Sequence, residues 1–223
     1  MYFLRALNNK NSVDKIKNLE NSCKKNSDIL KEFATTNNKL SMFSAKDMDE
    51  GDANNAALCF IFDPGKSKLI KDYTFIKISD VFLNKNKFTF EANNNCNTFF
   101  DTGSETLHHD VDLPEGISSQ IKLIKKLKKL FNDSKEESLY LQRYDEELTK
   151  KLVLWACNEN KVIVDKINGK TLEEIGDLCC KEKSTNYKLV DKYLDYIQQS
   201  CGKLMSKAIE YAKVRSKKVA DAV

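Results

Sequence analysis

Toward its C-terminal end the chain settles into one sustained rhythm. Tyr187, Val190, Leu194, Ile197, Cys201, Leu204, Ala208 and Tyr211 are spaced alternately three and four residues apart. That is the heptad of a long helix with a single apolar seam. Arg215 interrupts it and a basic end, VRSKKVADAV, follows. The seam is a candidate helix-packing or self-association surface. It serves the protein's own bundle where neighbouring helices cover it, and a partner helix or homo-oligomer where they do not.

Helical spacing also marks the region before it. Ile117, Ile121, Ile124, Leu127 and Leu130-Phe131 outline one helix. SKEE at 134–137 reads as a capping box, Ser134 with Glu137, opening a helix that carries Leu141, Leu148, Leu152 and Trp155. NGKTLEE supplies a turn and a second box, Thr171 with Glu174, opening a short helix to about Lys181. KVIVDKI at 161–167 fits strand and helix equally. At the other end, residues 12–34 predict an amphipathic helix capped by Ser12, with Val13, Ile16, Leu19, Cys23, Leu30 and Phe33 on its apolar face. Residues 35–55 keep no period and predict a linker or mobile loop.

Between 56 and 113 the period shortens. AALCFIFD, YTFIKI, DVFL and KFTFEA read as strands, with Phe88 and Phe90 on one side of the last, and NTFF and TLHHDVDL extend the set. Pro114 ends this region. The predicted fold class is therefore α+β: a small, mostly antiparallel sheet over about 56–113, a C-terminal helical bundle and an N-terminal helix. The organisation expected is a helical arm and mobile linker (1–55), a β-rich subdomain (56–114) and a helical bundle subdomain (115–223).

Composition sharpens this picture in three places. Two prolines and seven glycines in 223 residues favour long regular elements over a loop-rich all-β chain. Seven cysteines, odd in number and without metal-site spacing, read as free thiols of a reducing interior, so the expected location is intracellular and cytoplasmic. No run of apolar residues is long enough to span a bilayer, and no signal peptide is expected. The net charge of +4 is built almost wholly from lysine, and asparagine is abundant, as an AT-rich viral or microbial coding sequence produces. Arginine, the residue of bidentate base and phosphate recognition, is confined to Arg5, Arg143 and Arg215.

Four stretches carry candidate chemistry. IKLIKKLKKLF is a basic amphipathic helix whose Lys122, Lys125, Lys126, Lys128 and Lys129 are candidate contacts for nucleic acid or an acidic partner. Nucleic-acid contact of this kind is dominated by phosphate and falls steeply with salt. His108, Asp110 and Asp112 share one face of a strand and are weighed as metal ligands, against a solvated polar face as the default. DPGKSK at 63–68 lacks the upstream glycine of a phosphate-binding loop, where Phe60 stands instead. Finally, Asp101-Thr102-Gly103-Ser104 behind Phe99-Phe100 resembles the active-site turn of aspartic proteases. The resemblance implies a hydrolase using Asp101, with a second aspartate supplied by a second motif or an identical subunit. The chain holds no second such motif, and Asp-Thr-Gly-Ser is also what a tight turn uses.

With only two histidines and no complete catalytic constellation, the expected function is non-enzymatic: a protein-interaction or scaffold protein without cofactor, metal or catalytic residues. Nucleic-acid binding through the lysine-rich helices is the alternative, and the aspartic-protease-like hydrolase the remote one.

Overall fold

The computed structural model describes residues 1–7, 11–19, 27–46, 50–66, 68–93, 97–103, 107–133 and 140–220, with backbone alone at 205 and 207–220. Its strands are β1 (Tyr2–Leu7), β2 (Lys39–Ala45), β3 (Tyr73–Ser79), β4 (Phe90–Ala92), β5 (His108–Asp112) and β6 (Leu141–Tyr144). Its helices are α1 (Ser12–Lys17), α2 (Ser27–Glu32), α3 (Glu50–Ile61), α4 (Asp80–Lys85), α5 (Ile117–Asp133), α6 (Glu146–Asn158), α7 (Gly169–Lys181) and α8 (Tyr187–Ala220). The fold is α+β. One antiparallel sheet runs β4-β5-β2-β1-β3-β6, with helices against both faces.

The strand at the centre is the first one. β1 pairs with β2 on one side (Phe3 opposite Ser44) and with β3 on the other (Phe3 opposite Ile78). Its side chains alternate between two separate cores. Leu4 and Ala6 join Phe75, Tyr144 and residues of α3, α6, α7 and α8. Phe3 and Leu7 join Ile76, Ile78 and residues of α1, α2 and α5. A strand buried on both faces loses polar–apolar alternation and reads as a continuous apolar run. That is why MYFLRAL does not announce itself.

Several expected elements are corrected. AALCFIF is the end of α3 and the turn after it, not a strand: Ala53, Ala56, Ala57, Leu58, Cys59 and Ile61 are all buried, and a helix buried most of the way round has no visible period. DVFL forms α4, capped by Ser79, whose hydroxyl accepts from the Phe82 N–H at 3.1 Å. The stretch 35–55 is not a mere linker, for it contributes β2 and the start of α3. Among the described residues of 12–34 there are two short helices, α1 ending at Lys17 and α2 beginning at Ser27. Ser12 lies inside the first, where its hydroxyl donates to the buried Glu32 carboxylate at 2.6 Å. Arg5 donates to the Glu32 carbonyl at 3.1 Å and the Ser41 carbonyl at 3.0 Å, tying β1 to α2 and β2.

Strand structure also returns after Pro114. Leu141 belongs to β6, paired with β3, and the following helix starts only where Asp145 caps it through the Leu148 N–H at 2.7 Å. The proposed box Ser134–Glu137 lies outside the described residues. KVIVDKI is neither element: Val162 makes an isolated bridge to Phe100, and Val164–Lys166 is a single 3-10 turn. The helix to Lys181 forms as expected, yet its cap is Asn168, accepting from the Thr171 N–H at 2.9 Å. Glu174 is thereby released from the capping box. It reaches across the fold to accept from the Leu69 and Ile70 N–H groups at 2.9 and 2.7 Å.

Candidate functional site

α8 is 34 residues long, about 50 Å at the helical rise. Asn186 starts it, accepting from the Leu189 N–H at 3.1 Å while its amide donates to the Cys157 carbonyl at 2.9 Å. The helix is thus anchored to the end of α6 before it begins. Leu189 and Tyr193 are buried against the body and Tyr196 is half-buried beside them. The Tyr193 ring lies over Gly176 and the Tyr196 ring over Gly169, so two residues without side chains let α8 settle closely on α7. Lys192 donates to the Val164 carbonyl, and the Tyr193 hydroxyl bonds Asp177.

Gly169 is also where α7 starts, and the described side chains of α8 beyond Ser200 are all exposed. Cys201, Gly202, Lys203, Leu204 and Ser206 are exposed, and a methyl group built on Gly202 would meet nothing within 4 Å. The face used for packing is therefore Leu189, Tyr193 and Tyr196, rotated from the heptad seam. The seam itself faces solvent: Tyr187 is 74% exposed, Leu194 52%, Ile197 37% and Leu204 67%, with Cys201 exposed among them. Val190 is half-buried at the edge of the core. Ala208 and Tyr211 continue the same register on helical backbone, and their side chains lie outside the described residues. Tyr187, Leu194, Ile197 and Leu204 make up half of the eight exposed large apolar side chains among the described residues, all on one stripe of one helix. Single exposed apolar residues need no explanation, whereas a contiguous stripe marks an interaction surface. Charge along α8 is uneven. Residues 187–202 hold Lys188, Lys192, Asp191 and Asp195, whereas 203–218 hold Lys203, Lys207, Lys213, Arg215, Lys217 and Lys218 against Glu210 alone.

The lysines of α5 have a different setting. Leu123, Ile124, Leu127 and Phe131 are buried, so the helix is a core element. Lys122, Lys125, Lys126 and Lys129 stand exposed on its outer side, with Lys122 stacked 5.6 Å over the Phe88 ring. Lys128 is half-buried and donates to the Leu19 carbonyl, linking α5 to the end of α1.

On β5 the polar residues satisfy one another. Asp110 accepts from Asn93 at 2.7 Å and Ser41 at 3.3 Å, and lies 3.8 Å from the His108 ring nitrogen. Asp112 accepts from Thr89 at 2.9 Å. Among the described residues no group of three or more potential ligands has metal-binding geometry. Asp101 is exposed and its carboxylate accepts from the Gly103 N–H at 2.8 Å, closing a local turn in which Gly103 has φ +64°. Ser104 is outside the described residues. Asp63 makes the equivalent turn with the Gly65 N–H at 2.8 Å. Cys59, Cys157 and Cys179 are buried free thiols and Cys180 and Cys201 exposed ones, while Cys23 and Cys96 lie outside the described residues.

His109, on the opposite face of β5, is buried with its ring 5.3 Å from that of Phe3. Burial holds its pKa below 6.5, and the nearby charge of His108 adds to this against the Leu107 carbonyl and Asp110. The unfolded chain takes up this proton more readily than the folded one. The stability due to neutral His109 is therefore complete above pH 6.5 and is lost as pH falls toward the folded value. His109→Phe should lessen the loss of stability between about pH 7 and pH 5, read from urea midpoints. An unchanged acid slope would refute this.

No described helix is long and apolar enough to cross a membrane. No family model, no curated protein and no solved structure matches this chain, so the exposed stripe of α8 stands on its own geometry.

Proposed function

We propose that the protein is a non-enzymatic interaction module that docks another polypeptide along the apolar stripe of α8. One observation carries this reading: a heptad seam that the fold leaves in solvent while it buries the adjacent face of the same helix. Leaving Leu194 and Leu204 in water forgoes roughly 1.5–3 kcal/mol for each side chain that could be fully buried. A single misplaced residue would be unremarkable, but the seam is exposed at Tyr187, Leu194, Ile197, Cys201 and Leu204 in register. A partner presenting a matching helical stripe recovers that burial, as in helix-in-groove and coiled-coil recognition. The carboxylates of the two motifs weighed for chemistry, Asp101 and Asp110, engage a local turn and the neighbouring strand residues. The exposed free thiols of Cys180 and Cys201 suit a reducing compartment.

The test is face-specific photo-crosslinking in cells that make the protein. A photoreactive phenylalanine at Leu194 or Leu204 should give discrete adducts, and the same group at Gln199 or Lys203, on the opposite side of α8, should not. Adducts from both faces alike, or from neither, would sink the docking reading.

A further inference from the structure

We infer that the partner on this stripe is a second copy of the chain, its α8 running antiparallel to the first. The inference rests on the docking reading above and names the occupant. The seam is self-complementary in that direction. Any regular heptad seam stays in step with an antiparallel copy of itself, so what is particular to this chain is which residues one such register brings together. Leu204 meets Leu194 of the second copy, Cys201 meets Ile197, Ala208 meets Val190 and Tyr211 meets Tyr187. Small residues oppose branched or half-buried ones, and the two tyrosines close the ends. The overlap spans 25 residues, 187–211, about 37 Å of helix. That is three and a half heptads, within the length that sustains a coiled coil.

Charge selects this direction over the parallel one. A parallel pair would stack each seam position on itself. It would place Arg215 on Arg215 and Lys218 on Lys218 where the repeat continues, beside the other basic residues of both ends. Like charges so juxtaposed are repulsive, and they act against the parallel arrangement. In the antiparallel register the two basic ends lie at opposite ends of the assembly, and Arg215 falls beyond the first turn of the other α8. On the anchored half of α8, Tyr187 and Leu194 keep the seam open among the described residues, at 74% and 52% exposure. The interface is isologous, with its two-fold axis crossing the seam midway between Ile197 and Cys201, and it closes at two copies.

The experiment uses the full chain under reducing conditions, from about 1 to 100 μM, by light scattering and sedimentation. The expected mass is twice 25.6 kDa. Leu204→Asp, placed where α8 has left the body, should weaken association roughly 100-fold or more, with unchanged far-UV circular dichroism. Leu194→Asp is the second variant. Direction is read by oxidation and peptide mapping. Gln198→Cys with Cys201→Ala should link to itself across the axis, and the native Cys201 should not, because only a parallel pair stacks Cys201 on Cys201. A Cys201–Cys201 link, or a dimer that survives both aspartates, would overturn the inference. So would a chain that stays monomeric throughout. A monomer that still gives stripe-specific adducts of other mass in cells refutes the second copy alone, whereas a monomer without such adducts refutes the docking reading too.

Discussion

Replacing Glu174 with alanine should cost about 3 kcal/mol of stability, and replacing it with glutamine should cost nearly as much. The two carboxylate oxygens of Glu174 each accept one backbone N–H, from Leu69 at 2.9 Å and from Ile70 at 2.7 Å. These donors sit in the irregular segment between α3 and β3, where no ladder or helix supplies acceptors for them. Bonds to a charged acceptor contribute about 1.5–3 kcal/mol each, and an unpaired N–H shielded from water costs a similar amount. Alanine removes both acceptors. Glutamine keeps one oxygen but turns an amide NH2 toward the other N–H, donor against donor. The usual isosteric rescue therefore fails here. Aspartate fails also, since a carboxylate one methylene shorter cannot reach both groups. Urea unfolding at neutral pH measures the effect. A glutamine variant within about 0.5 kcal/mol of the parent would show that the paired geometry does not hold in solution.

That contact also shows where sequence reading stops. Thr171 and Glu174 have the spacing of a capping box, and the helix they mark is real. The local rule cannot see that Asn168 has already taken the cap, nor that Leu69 and Ile70, more than a hundred positions earlier, lack acceptors. Elements with one solvated face were legible: α5 and α7 show their period because water and core alternate around them. Elements buried on two or more sides were not. β1 lost its alternation at the centre of the sheet, and α3 read as a strand because Ala56, Ala57, Leu58 and Cys59 are all buried. The β-rich stretch could reveal that a sheet exists but not that β1, β2 and β6 come from outside it, because strand pairing is non-local. The seam of α8 was legible as a repeat. Which face of α8 meets the body was not, since Leu189, Tyr193 and Tyr196 are also spaced as a helical face and the contacts that choose between them, the glycines of α7 and the Asn186 anchor on α6 among them, are non-local.

Those glycines make the second large prediction. Gly176→Ala should destabilise the protein by about 2 kcal/mol even though alanine is the better helix former. A Cβ at 176 would lie 2.3, 2.5 and 2.7 Å from three atoms of the Tyr193 ring, all well inside the 3.4 Å at which ordinary contact begins. The ring cannot slide aside cheaply, because its hydroxyl is bonded to Asp177 on the same helix α7 and Leu189 pins the turn before it. Alanine gains about 1 kcal/mol of helix propensity, and overpacking this deep lies at the upper end of its usual range, about 3 kcal/mol. The clash wins. Its effect should concentrate on α8, whose hold on the body depends on Leu189, Tyr193 and Tyr196, and amide exchange should rise there before it rises in the sheet. Gly202→Ala supplies the opposite sign at an open site on the same helix. With nothing within 4 Å it should stabilise by up to about 1 kcal/mol, and so stiffen the part of α8 that carries Leu204. Thermal melts of the two variants should move in opposite directions. If Gly176→Ala melts at or above the parent temperature, Tyr193 does not lie against α7, and the stripe described here is not the face that α8 turns to solvent.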